Sequence, residues 1–339
     1  MIEVLVTGGA GFIGSNFVRW AHARHPDWRI TTLDKLTYAG RLENLQSVMD
    51  SPRHCFVKGD IADADVAAPL VRASDIVINF AAETHVDRSL MAAGEFIQTD
   101  VYGTFVLLEA AREAPALRRF IQISTDEVYG SVAHGHSRET DELKPRNPYS
   151  ASKAGADRLA YSYWATYGVP VVITRASNNY GPNQFPEKVI PLFITNALDN
   201  RSVPLYGDGL NVRDWLHVED HCAGVDLLID HGVSGEVYNI GGGNEVRNID
   251  LTRRILALAG RSDALISPVA DRPGHDRRYA LDTTKLRGLG WVPQTDFEAG
   301  LAATVQWYRD NEAWWRRIKE QDAAYRAFHE AQYGAQPSA

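Results

Sequence analysis

Cysteine, long apolar runs and surplus positive charge are all scarce in this chain, and each scarcity excludes something. Only two cysteines, Cys55 and Cys222, occur among 339 residues. Two cannot frame a disulfide scaffold, so both are expected as reduced residues in or near a core. No apolar run approaches the roughly 18 residues that a membrane-crossing helix needs. The opening segment, Glu3-Val-Leu-Val6, has neither a basic stretch nor a leader-type apolar block, so a cytoplasmic protein is expected. The net charge of -8 argues against nucleic acid and anionic membranes as partners. What remains is ordinary for a globular chain: 45% apolar and 23% charged residues, enough for a large core.

Short apolar runs at 2–6, 30–33, 55–57, 76–80, 120–123 and 171–174 read as buried strands. Amphipathic stretches at 13–23, 64–71, 96–114 and 149–167 read as helices between them. Strands alternating with helices imply an α/β fold, a Rossmann-type doubly wound parallel sheet covered on both faces. After about residue 176 the chain turns rich in Pro, Gly and Asn, with helices expected over 189–197, 218–230, 249–259 and 297–309. The expected layout is a dinucleotide-binding unit over 1–176 that carries the catalytic residues, and a smaller, loop-rich substrate unit over 177–320. Their boundary is not clean, and a charged, aromatic tail follows over 321–339.

Gly8, Gly11 and Gly14 stand after the first strand and before the first helix. Gly8 suits the tight turn, Gly11 a close approach to a pyrophosphate, and Gly14 tight packing of helix on strand. The helix N-terminus adds N–H donors and partial positive charge. Asp34, twenty residues past Gly14 at the end of the second strand, is placed to accept from a ribose diol. A carboxylate there repels a 2′-phosphate, which favours NAD over NADP, although Lys35 lies beside it. Asp60 and Ile61 follow the third strand, and Ala81 and Ala82 the fourth, where small side chains suit the nicotinamide-side ribose.

Tyr149 and Lys153 are four apart, hence on one face of a helix. A phenol near an ammonium and a positive ring is a base for a hydroxyl proton. Thr125, Asp126 and Glu127 follow directly on an apolar strand. Two adjacent carboxyl groups in different protonation states can act as a base and an acid. His217 and His221 have a spacing that metals accept, but no third ligand lies nearby, and no metal is expected.

Together these residues resemble the extended short-chain dehydrogenase/reductase family, in its nucleotide-sugar branch, over residues 1 to about 320. The specific resemblance, to the 4,6-dehydratases of that branch, is carried by 34–40, 81–89, Ser124-Thr-Asp-Glu-Val-Tyr-Gly130, 178–182, 186–188, Arg213-Asp-Trp215 and 271–279. The resemblance implies a lyase acting on a nucleoside-diphosphate hexose, dTDP-glucose, with a recycled NAD. It implies Glu127 as the base at C5, Asp126 as the acid at C6, Thr125 on the C4 oxygen, and Tyr149 and Lys153 as the redox pair. It adds Phe12, Ile13, Leu36, Thr37, Phe80, Glu83, Thr84, Thr99 and Asn179 to the cofactor side. On the substrate side it implies Thr84 and Asn178 at the sugar and Lys188, Val189 and Arg213 near the diphosphate. Pro204, Leu205, Tyr206 and Asn248 then fall at the nucleotide, with Asp271, Arg272, Pro273, Gly274 and His275 on its rim. It also implies a homodimer through a four-helix bundle of 96–114 and 149–167. The family usually has Asn where this chain has Asp100. UDP-glucose dehydration, nucleotide-sugar 4-epimerisation and non-catalytic NAD binding are the alternatives. Epimerisation needs no carboxyl pair, and a non-catalytic protein would be expected to have lost a catalytic group.

Overall fold

The computed structural model describes residues 1–334. In its first half, β1 (Ile2–Thr7), α1 (Phe12–Arg24), β2 (Trp28–Asp34), β3 (His54–Lys58), α2 (Ala64–Arg72) and β4 (Ile76–Asn79) come in order. Two short helices, α3 (Val86–Met91) and α4 (Ala93–Phe96), lead into a wide π-helical turn over Ile97–Gly103. After it come α5 (Thr104–Arg112), β5 (Arg119–Thr125), α6 (Pro148–Tyr167) and β6 (Val171–Ala176). The single helix expected over 96–114 is therefore broken by that turn.

The second half holds β7 (Asn178–Tyr180), α7 (Val189–Leu198), β8 (Val203–Tyr206), β9 (Val212–His217), α8 (Val218–His231), β10 (Val237–Ile240) and β11 (Glu245–Arg247). These are followed by α9 (Asn248–Ala259), β12 (Ile266–Val269), α10 (Thr284–Arg287), α11 (Phe297–Asp310), α12 (Glu312–Gln321) and α13 (Ala323–Tyr333).

Seven parallel strands form one sheet in the order β10-β6-β5-β4-β1-β2-β3. Successive residues of a strand face opposite sides, so a sheet covered on both faces needs apolar residues at every position. Val4 and Val6 join one apolar cluster with Phe17 of α1 and Val225 of α8, while Leu5 joins another with Leu107 of α5 and Ala160 of α6. The strand order reverses between β1 and β4, which leaves a crevice at the carboxyl ends of the strands.

A third cluster, with Phe193, Trp215, Leu256 and Tyr308, forms a smaller lobe around a three-stranded sheet (β11-β9-β7) and the β12–β8 pair. Residue 176 is not a clean border. α8 packs on α1, and β10 pairs with β6, so 218–240 belong to the first lobe's core. Cys222 is buried in that core, but Cys55 is exposed, because β3 is the edge strand of the sheet.

Candidate active site

One cavity of about 410 Å³ runs from the glycine loop into the smaller lobe. Gly8 takes φ +65°, and a Cβ there would lie 2.6 Å from the Ala81 nitrogen. At Gly14 a Cβ would lie 2.3 Å from the Gly8 carbonyl oxygen. These two glycines are thus required by backbone packing. Gly11, whose Cβ would meet nothing closer than 3.3 Å, caps α1 and lines the cavity, so its open side is left for a ligand. The first turn of α1 carries no acidic residue, which keeps its positive end available to an anion. Asp34 closes the loop: its two carboxylate oxygens accept from Ala10 N at 2.9 Å and Leu36 N at 2.8 Å. Burial pushes its pKa up against those bonds. Each oxygen keeps a lone pair for a ribose hydroxyl. Lys35 is drawn to Asp60 (2.6 Å) at the rim. A loop that tolerates no Cβ, a free helix end and a buried carboxylate fit a dinucleotide.

The chemical groups stand where β5 ends. The strand carries Thr125 to the cavity, and a single 3₁₀ turn, Asp126–Tyr129, brings both carboxyl groups round behind it. Asp126 is 3% exposed, with Oδ1 accepting from the Thr125 hydroxyl at 3.2 Å and Oδ2 buried without a partner. Burial pushes its pKa well up, and the charges of Glu127 and Asp214 add to this. It is therefore a neutral acid with an unused proton. Glu127 differs. The Tyr279 phenol lies 3.4 Å from it but 2.7 Å from Asp276, and its one proton goes to the nearer carboxylate. Glu127 is left as an open carboxylate in the cavity.

Helix α6 begins on a capping box, Asn147 and Ser150, with Pro148 in its first turn. That cap fixes where Tyr149 and Lys153 emerge. Tyr149 lines the same cavity as Thr125. Burial raises its pKa well above 10, followed by the charges of Glu127 and Asp100. Lys153, 5% exposed, donates to the Ile123 carbonyl at 2.8 Å, and burial lowers its pKa. Asp100 faces this pair from the π-helical turn. It accepts from Glu83 N at 2.8 Å and from the Ser152 hydroxyl at 2.6 Å, and burial raises its pKa to about 6. Behind the site Arg175 grips Asp157 of α6 (2.8 and 3.1 Å) and donates to the Tyr129 phenol (2.8 Å). That buried bridge locks α6 against the turn bearing the two carboxyl groups.

Of the residues singled out from sequence, Leu36, Leu205, Asp271, Pro273 and Gly274 do not line this cavity. Leu36 sits at φ +57° and serves through its N–H to Asp34. Leu205 alternates inward into packing, 5% exposed. Asp271 and Pro273 border a separate hollow, and Asp271 accepts from His275 at 2.6 Å. Burial holds the His275 pKa down to about 4, so the neutral ring turns its other nitrogen free. The remaining residues do line the cavity, Lys188, Arg213, Asn248, Tyr206 and Arg272 among them. The Arg213 fork is spent on the Val212 and Asp276 carbonyls (2.8 and 2.9 Å), which keeps a fixed cation near Asp126. Asn179, read from sequence as a cofactor contact, donates its amide N–H to Ser177 O and accepts from His221 Nδ1 at its oxygen, whereas Asn178 keeps a buried, unpartnered oxygen.

Several lining residues carried no sequence signal: His85, Gln184, His221 and Tyr333. His85 is strained at φ +104°, a conformation that sequence does not announce. His221 stood out in sequence only by its spacing from His217, from which no metal was expected. Among the described residues no group of three or more potential ligands is placed to hold one.

Three comparisons bear on this arrangement. Residues 5–304 match the family model described as GDP-mannose 4,6 dehydratase. The chain is 55% identical over 328 residues to a dTDP-glucose 4,6-dehydratase from Streptomyces antibioticus, covering 95% of this chain and 97% of that one. Among solved structures, DesIV from Streptomyces venezuelae, a dTDP-glucose 4,6-dehydratase crystallised with NAD, superposes with a TM-score of 0.92 at 51% identity. That match covers 94% of this chain and 100% of that one. A UDP-glucose 4-epimerase from Thermus thermophilus, also with NAD, reaches 0.84 at 30% identity, with 91% and 100% covered.

Proposed function

The chain belongs to the GDP-mannose 4,6 dehydratase family, and from that premise we propose that it converts dTDP-glucose to dTDP-4-keto-6-deoxyglucose and water. It is an NAD-dependent dehydratase. NAD, when bound, takes hydride from C4 of the sugar and gives it back at C6. The protein's own groups move the protons. Tyr149 takes the C4 hydroxyl proton while Thr125 holds that oxygen. A C4 ketone makes the C5 proton acidic, and Glu127 removes it and returns it to C5 as hydride reaches C6. Asp126 gives its proton to the C6 hydroxyl, which leaves as water. Gly8, Gly11, Gly14 and Asp34 hold the dinucleotide, and Lys188 and Arg213 stand at the substrate diphosphate.

The observation that carries this reading is the unlike pair at 126 and 127: one carboxyl buried, its pKa pushed well up and one of its oxygens without a partner, its neighbour open to the cavity. An epimerase needs neither. In this assignment residues 1–176 hold cofactor and catalysts, and 177–320 the substrate, with 218–240 returned to the first lobe's core. A homodimer through a four-helix bundle of the π-helical turn with α5, and α6, is supported by the large apolar side chains left exposed there: Ile97 at 52%, Tyr102 at 46%, Phe105, Tyr161 and Tyr167. Such residues form a patch that a second copy would cover. No described helix is long and apolar enough to cross a membrane, and cytoplasmic action agrees with two unpaired cysteines.

Incubating the purified protein with dTDP-glucose, UDP-glucose or GDP-mannose, without added NAD, and following mass loss tests the reading. Water loss from dTDP-glucose, in preference to the others, is expected. Conversion of UDP-glucose to UDP-galactose, or no water loss from any, refutes it.

A further inference from the structure

The two loops that flank the glycine loop are tied to each other across it. β1 lies between β4 and β2 in the sheet, so the loops after β4 and β2 stand on either side of the turn that carries Gly8 and Gly11. Thr37, Ala39 and Gly40 line the cavity from one loop, and Thr84 and His85 from the other. Tyr38 stands among the first group yet does not line the cavity. Its phenol instead donates to the Thr84 carbonyl oxygen at 2.8 Å. Burial holds the phenol pKa well above 10, so the donated proton stays in place near neutral pH.

A cation fixes that phenol ring from outside. The Arg88 guanidinium of α3 lies 3.8 Å over the Tyr38 ring and 4.3 Å over the Phe328 ring of α13. Its Nε and Nη2 donate to one oxygen of Glu187, at 3.0 and 2.8 Å, and that carboxylate is buried. Arg88 does not line the cavity either. The loop after β2, α3, the approach to α7 and α13 thus meet at one guanidinium. The C-terminal helices pack the outer side of the same loop. Tyr38 and Ala39 join an apolar cluster with Phe185, Ile318 and Tyr325, and Arg41 pairs with Asp322.

Hydride that leaves C4 and returns at C6 makes a demand on the cofactor site. NADH lost between the two transfers strands an oxidised sugar and leaves an empty enzyme. We propose that Tyr38 and Arg88 are positioning residues that clasp the two loops over the dinucleotide and hold NADH in place between the hydride transfers. This rests on the reading above that the cofactor is recycled within one turnover. The clasp is built of residues behind the cavity wall, so its loss is expected in cofactor retention and not in sugar binding.

The test uses the full-length holoenzyme with its cofactor exchanged for NADH. The variants are Tyr38→Phe and Arg88→Lys, with Arg326→Ala on the exposed face of α13 as a control. Release of NADH into excess NAD is followed by fluorescence. Tyr38→Phe keeps the ring, loses one hydrogen bond and is expected to speed release about fivefold. Arg88→Lys keeps the charge, loses the planar fork and is expected to speed release about tenfold. Free NADH appearing per dTDP-glucose consumed should rise by the same factors, with KM for the sugar within about threefold. Should Arg88→Lys lose its cooperative melt, Tyr38→Phe decides alone. Release within about twofold of wild type in both variants overturns the proposal, and so does faster release with no more NADH lost per turnover. Faster release in step with a raised KM and a lowered thermal midpoint also overturns it, since the contacts would then be a prop for the fold. Wild type that retains NADH without dehydrating dTDP-glucose refutes the proposed function and leaves the clasp to be judged on release alone. Wild type that retains no NADH overturns both.

Discussion

Replacing Asp100 by Asn removes a buried charge while keeping the shape that holds it. The Asp100 carboxyl is 1% exposed and fixed at both ends, to Glu83 N and to the Ser152 hydroxyl. In Asp100→Asn the carbonyl oxygen still accepts from Glu83 N. The new amide donates to Ser152, whose proton then turns from residue 100 to the Tyr149 carbonyl, 2.8 Å away. The charge is what changes. Burial raises the carboxyl from its ordinary 3.8 to about 6, against the pull of Lys153. The sign follows directly. A carboxyl with a raised folded pKa keeps its proton in the folded state after the unfolded chain has lost it, so rising pH destabilises the native protein between about 3.8 and 6. With those two values the wild type carries a penalty of about 2 kcal/mol at pH 5 and about 3 kcal/mol at pH 7.5. Asp100→Asn carries none of it. The stability of the variant relative to wild type should therefore improve by about 1 kcal/mol between pH 5 and pH 7.5, while Lys153 keeps Asp157 within reach. Urea unfolding of both proteins at the two pH values, at one fixed NAD concentration, measures it. A relative stability constant to within about 0.5 kcal/mol across that interval refutes the account of a buried, titrating carboxylate. The same substitution removes one of the charges that raise the Tyr149 pKa, so the acid limb of the first hydride transfer should move to lower pH.

Three further outcomes are expected. Glu127→Gln should still reduce bound cofactor on adding dTDP-glucose but slow water loss by about 10²–10⁴-fold, read as persistent reduced-cofactor absorbance; absence of that signal removes Glu127 from the C5 step. Gly14→Ala drives a Cβ to 2.3 Å from the Gly8 carbonyl and should cost about 1–3 kcal/mol together with bound NAD, checked by thermal melts and cofactor content. Arg175→Met leaves the buried Asp157 carboxyl with only the Arg158 guanidinium beside it and should cost about 3 kcal/mol in chemical denaturation; restoring stability by adding Asp157→Leu would confirm the pair as the cause.

The parts legible in the sequence are those whose signal is local. Gly8, Gly11 and Gly14 declare a turn and a helix start within seven residues, and Tyr149 and Lys153 share a helix face by spacing alone. Asp126 and Glu127 are adjacent, and only a strand end before them was needed to place them. What stayed illegible depends on contacts across long separations. Nothing near Asp157 predicts Arg175 and Tyr129 as partners, because they meet only when β6, α6 and the turn after β5 pack. Tyr333 sits in a charged, aromatic tail that looks like a solvated helix until Phe328 finds His85. His85 itself is held at a backbone angle that its side chain does not favour. The expected helix over 96–114 failed as one piece because apolar periodicity persists through a π-turn, whose extra residue per turn rotates Asp100 toward Ser152.

The return of 218–240 to the first lobe constrains how this enzyme could be recombined with its relatives. β10 completes the sheet against β6, and α8 shares a core with α1. A cut at residue 176 would strip the sheet of its last strand, expose the hydrogen-bonding edge of β6 and uncover Phe17 and Val18. The two lobes are therefore not exchangeable cassettes. A chimera meant to change sugar-nucleotide preference must graft two separate inserts, one between β6 and α8 and one after β10, and leave α8 and β10 with the host.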